Sequence, residues 1–175
     1  MSESTSTAPL LVPYRAVGLV TDGVPFAVQA HGTETFVTTS TGSSFQIWST
    51  HERLRLVFVG PTLGGSVSAL CPHEEFTIVC CGTVTHIYRR AELVITCDDG
   101  EHQAPIVRAL TIGNTLVTIC ERGTIVAWSL PDGEVMQRLH AGFAPTAVCH
   151  PATYLNKVRS CHSAVRTGAR CDGRC

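Results

Sequence analysis

Nine cysteines, eight histidines and fourteen acidic residues are the side chains of this 175-residue chain with chemistry to offer. Asp98-Asp99-Gly100-Glu101-His102 gathers three carboxylates and an imidazole, a donor set that could hold a metal. Its Asp-Asp-Gly core reads equally as an exposed turn, and the latter is expected. His73-Glu74-Glu75 begins like a zinc-protease motif. That motif needs a second His four residues on, carried on a helix, and none follows. Gly60-Pro-Thr-Leu-Gly-Gly65 has the glycines of a phosphate loop without its Lys-Ser/Thr ending. No GxSxG elbow occurs. Cys161, His162, Cys171 and Cys175 are zinc-type ligands, but they lack a CxxC knuckle and a second half-site. Cys71, Cys80, Cys81, Cys97, Cys120 and Cys149 lie in apolar surroundings and read as small buried hydrophobes of a reducing compartment. The residues therefore predict no enzyme, no cofactor, no bound metal and no small-molecule substrate.

Composition agrees with a folded, non-catalytic domain. Apolar residues make up 44% and charged residues 15%, and the net charge is −1. That is globular, and it advertises no polyanion as a partner of the whole chain. The charge is uneven: Arg159 to Cys175 holds four Arg and one Asp. Such a basic tail could touch RNA phosphates, although solvated tails of this kind are commoner. Arg89-Arg90 is a weaker basic step of the same kind. Met1 to Ala8 lacks the basic start and apolar run of a signal peptide. No apolar stretch reaches the roughly 18 to 20 residues that span a bilayer. A soluble, intracellular chain with no membrane contact is expected.

The elements that would position these residues repeat. Ser68-Ala-Leu-Cys-Pro-His73, Arg108-Ala-Leu-Thr-Ile-Gly113 and Thr146-Ala-Val-Cys-His-Pro151 open successive units, and an earlier one opens near Phe26-Ala-Val-Gln29. Three further runs follow in each of the first three units. They are Thr35–Thr39, Ser44–Trp48 and Leu54–Val59; Phe76–Cys80, Val84–Tyr88 and Glu92–Thr96; Thr115–Ile119, Thr124–Trp128 and Val135–Leu139. All are rich in Val, Ile, Thr and aromatics and are split by turn residues, so each predicts a strand. No window sustains a helical period. Trp48, Tyr88 and Trp128 end the third run of each unit at intervals of 40 residues. A four-strand unit of that period is the blade of a β-propeller.

Leu116-Val-Thr-Ile-Cys-Glu-Arg-Gly-Thr-Ile-Val-Ala-Trp128 resembles a WD repeat. Arg122 stands where the turn Asp is usual, and Cys120 where the Ser is usual. The His–Asp–Ser–Trp hydrogen-bond network is therefore expected to be largely missing, and the repeats to be degenerate. His102 and His140, near blade starts, are scaffold candidates. The fold expected is all-β: an incomplete WD-repeat propeller of about three blades plus the start of a fourth. Trp48, Tyr88 and Trp128 are its structural aromatics.

Three strings are more specific than a generic repeat: Tyr14-Arg-Ala-Val-Gly-Leu-Val-Thr-Asp-Gly-Val-Pro25, Thr35-Phe-Val-Thr-Thr-Ser-Thr-Gly-Ser-Ser-Phe-Gln-Ile-Trp48 and His150-Pro-Ala-Thr-Tyr-Leu-Asn-Lys-Val158. They resemble the N-terminal propeller of the family called WD repeat-containing protein thirty-six in animals and U-three snoRNA-associated protein twenty-one in yeast. The resemblance runs from about Tyr14 to Val158. It implies a nucleolar scaffold of the small-subunit processome, in the UTP-B subcomplex, supporting 18S pre-rRNA maturation in ribosome biogenesis. Implied partners are other UTP-B-type proteins and, indirectly, the pre-rRNA–snoRNP particle. The competing expectation is a generic WD-repeat adaptor outside the nucleolus, in ubiquitin ligation or vesicle traffic for example. A propeller enzyme would need polar residues converging on the central channel.

The domain organisation expected is a disordered segment 1–13, a partial propeller 14–158 and a non-homologous, disordered tail 159–175. Gly168 occupies the position of the fourth aromatic rung. The tail has one aliphatic β-branched residue, Val165, and no aromatic, so it is not expected to form a buried strand pair. A shifted reading frame or intron read-through would account for it. The coding DNA past codon 158 would then encode a strand–turn–strand ending in an aromatic in another frame or beyond an intron.

Overall fold

The structure, a computed structural model, describes residues 22–51, 53–98, 100, 102–150 and the backbone of 159–161. Fourteen strands and no helix occur among them. β1 (Ala27–His31), β2 (Glu34–Ser40), β3 (Phe45–Ser49) and β4 (Arg55–Val59) form blade 1. β5 (Val67–His73), β6 (Phe76–Cys81), β7 (Val84–Arg89) and β8 (Glu92–Cys97) form blade 2. β9 (Ile106–Ile112), β10 (Thr115–Cys120), β11 (Thr124–Ser129) and β12 (Val135–His140) form blade 3. Each blade is an antiparallel meander in chain order, as short turns between neighbouring strands require. Each apolar run legible in the sequence falls on one of these strands, with Phe26, Ser44, Leu54, Gly113 and Thr146 just outside their ends.

The start of a fourth blade is present. β13 (Ala147–Cys149) pairs antiparallel with β14 (Arg159–Cys161). The sheet thus continues three residues past Val158, where the sequence placed the start of a disordered tail. Backbone pairing along a short edge needs no buried aromatic. The expected segment 1–13, the string from Tyr14 to Thr21 and the remainder of the tail, including Gly168, lie outside the described residues.

Burial follows strand position. β6 and β10 are almost wholly buried, whereas β4, β8 and β12 are largely exposed. The first strands stand side by side, β1 beside β5 and β5 beside β9. First strands therefore line the inside of the arc and fourth strands its outer rim.

The blades stack through two apolar layers. Phe45 of blade 1 packs with Val67, Val79 and Tyr88 of blade 2, with Ile47 and Phe58 beside them. The Phe45 and Tyr88 ring centroids are 5.0 Å apart at 54°. A tilted pair of this kind adds about 0.5–1.5 kcal/mol beyond its buried area. Between blades 2 and 3, Cys71, Ile78, Ile87 and Cys97 meet Leu116, Val126, Trp128 and Leu130. Blade 2 is thus covered on both faces.

A backbone latch repeats at one end of the blades. Gly42, in the turn between β2 and β3, accepts a 2.8 Å hydrogen bond from Val67 N–H, at the start of β5. Gly82, in the corresponding turn of blade 2, accepts one of 2.8 Å from Ile106 N–H, at the start of β9. Each turn so ties its blade to the next inner strand and satisfies a backbone donor there. Asp22 completes the blade 1 turn, its Oδ2 accepting from Gly42 N–H at 2.8 Å.

Candidate interaction surface

The three ladder aromatics occupy one place in each blade. Trp48, Tyr88 and Trp128 lie on the third strand, and all are buried. In each blade the pairing between third and fourth strands shifts register immediately before the aromatic. Trp48 then faces Leu56, Tyr88 faces Leu93 and Trp128 faces Val135. Val57, Val94 and Met136 are the extra residues of these bulges, and each is exposed on the rim. A bulge sharpens strand twist, so the outer strand turns away beneath the large ring. The sequence signal for the bulges is faint, because an apolar pair such as Leu56-Val57 looks like ordinary strand.

Blade 3 holds a buried hydrogen-bond chain. Trp128 Nε1–H donates to Thr118 Oγ1 at 2.8 Å, and His102 Nε2 lies 2.7 Å from the same oxygen. Thr118 is fully buried and His102 is 4% exposed. This corrects the expectation that the repeat network is largely missing. The hydroxyl comes from Thr118, two residues before Cys120, on the same face of β10. Only the turn position departs, where Arg122 is exposed. His140, the other scaffold candidate, is exposed at the end of β12. Blade 1 keeps a shorter version, Trp48 Nε1–H to Thr39 Oγ1 at 3.2 Å.

The remaining sequence candidates are dispersed. Asp98 and Gly100 are exposed in the loop between β8 and β9, but His102, in the same loop, is buried. Asp99 and Glu101 lie outside the described residues. Glu74-Glu75 forms the turn between β5 and β6, with His73 the last residue of β5, and Gly60 to Gly65 links blade 1 to blade 2. Cys71, Cys80, Cys81, Cys97 and Cys120 are buried free thiols, whereas Cys149 is exposed, on the short fourth sheet. Burial pushes the Cys71 thiol up to about 11 and the Cys80 thiol up to about 12. They are packing groups with no thiolate to offer at neutral pH. Among the described residues, no three His, Cys, Asp or Glu gather to hold a metal ion. The side chains of Cys161, His162, Cys171 and Cys175 lie outside them.

Two open clefts flank blade 2. One, of ≈ 770 Å³, is lined by Gly64, Ser66, Gly82, His86, Asp98 and Pro105 among others. His86 Nδ1 sits 3.3 Å from Thr96 Oγ1. Burial lowers the His86 pKa, and the nearby Asp98 charge pulls it partly back. The second, of ≈ 560 Å³, lies at the opposite end and is lined by Glu75, Phe76, Arg89, Glu92, Leu93 and Pro131 among others. Arg89 Nε pairs with Glu75 Oε2 at 2.9 Å, so half of the basic Arg89-Arg90 step is engaged within the blade. Both partners are half exposed, and such a pair contributes about 0–1 kcal/mol. Both clefts have mixed polar and apolar linings.

The family described as WDR36/Utp21 first beta-propeller matches residues 37–164. The U3 small nucleolar RNA-associated protein 21 homolog of Schizosaccharomyces pombe is 29% identical over 155 residues, covering 85% of this chain and 17% of that protein. WD repeat-containing protein 36 of Homo sapiens is 25% identical over 162 residues, covering 90% of this chain and 18% of that protein. The chain therefore spans under a fifth of the length of these curated relatives. Among solved structures, the computationally designed Ika4 protein aligns with TM-score 0.64 at 16% identity, over 82% of this chain and 88% of that one. The designed Ika8 protein aligns with TM-score 0.62 at 15% identity, over 77% of this chain and 41% of that one. These two show likeness of fold alone. With its matched span covering most of the three blades, the chain belongs to the WDR36/Utp21 first β-propeller family.

Proposed function

We propose that this chain is part of a non-catalytic WD-repeat scaffold of the small-subunit processome, acting in ribosome biogenesis and supporting 18S pre-rRNA processing. The observation that carries this reading is the family match over residues 37–164, shared with relatives whose names tie them to U3 small nucleolar RNA. The structure is compatible in kind. Stacked sheets present a rigid rim and open clefts, and fold alone does not choose the partner. Trp48, Tyr88 and Trp128 serve packing in this reading. Partners are other processome proteins of the UTP-B type, with the pre-rRNA–snoRNP particle contacted through them, in the nucleolus. Affinity capture of a tagged longer form that carries this segment is expected to recover processome proteins and U3 snoRNA. The tag is expected in the nucleolus. Recovery of neither would sink the proposal, and an extranucleolar tag with other protein partners would point to a generic adaptor.

A further inference from the structure

We draw no further inference here: the strongest candidate, the exposed apolar patch that Leu93 and Val94 of β8 form on the outer rim of blade 2 beside the cleft of Glu75, Arg89 and Pro131, is an unpartnered surface, and nothing in the structure shows what covers it.

Discussion

Thr118 is a small residue with a large role, because its hydroxyl meets both the Trp128 indole and the His102 ring inside blade 3. Replacing it by Val keeps the shape and strands two buried polar groups. Urea denaturation of Thr118→Val should show a loss of about 1–3 kcal/mol. Thr39→Val, which removes one longer bond in blade 1, should cost less. The buried thiols give a second outcome at this scale. In the folded chain a thiol reagent should modify Cys149 and spare Cys71, Cys80, Cys81, Cys97 and Cys120 until denaturant is added, as read by peptide mapping. His86 supplies a pH dependence. Its folded pKa lies below the ordinary 6.5, so the unfolded chain binds the proton more readily. Stability from this group is complete above 6.5 and falls as pH drops through that value toward the folded pKa. His86→Gln should flatten the stability profile across that window. Asp22 acts in the same direction at lower pH. Slight burial raises its pKa, but the nearby Ser40 hydroxyl and the Gly42 and Val24 amides outweigh this and hold it below 3.8.

At the scale of elements, turns and bulges set what the strands can do. Gly123, between β10 and β11, has φ +82°, and a Cβ there would fall 2.2 Å from the Phe143 carbonyl oxygen. Gly123→Ala thus combines a left-handed backbone with a clash against main chain. A loss of about 2 kcal/mol or more is expected by thermal or chemical denaturation. Gly60 is tight for a different reason: a Cβ would meet the Phe45 ring at 2.3 Å, inside the layer between blades 1 and 2. Gly42, Gly82 and Gly123 recur at intervals of 40 and 41 residues, a second ladder in the sequence beside the aromatic one. Its meaning was not legible there. A turn glycine is common, and only the folded chain shows the Gly42 and Gly82 carbonyls receiving the next blade's first amide.

For the whole molecule, stability comes from stacking, since each blade alone leaves its apolar faces to water. Blade 2, covered on both sides, should be the most protected part of the chain. Amide exchange is expected to be slowest in β6 and β10 and fastest in β4 and β12, where burial is greatest and least. Uniform protection across the three blades would contradict a fold held by inter-blade layers.

The sequence determined the strands, their order and the number of blades. Those features are local: Val, Ile and Thr runs fix each strand, Gly and Asp fix each turn, and the 40-residue spacing of Trp48, Tyr88 and Trp128 fixes the repeat. It also carried the strings by which the family was recognised. The tertiary structure alone decided which residues share a face. Thr118, rather than the position of Cys120, completes the indole's hydrogen bond, because alternation along β10 and packing against His102 bring that hydroxyl inward. It also decided that Arg89 turns to Glu75 and that Cys149 is open while the other described thiols are sealed. Each of these depends on which strand lies beside which and on bulges that shift the register by one residue. Pairings between residues distant in sequence set both.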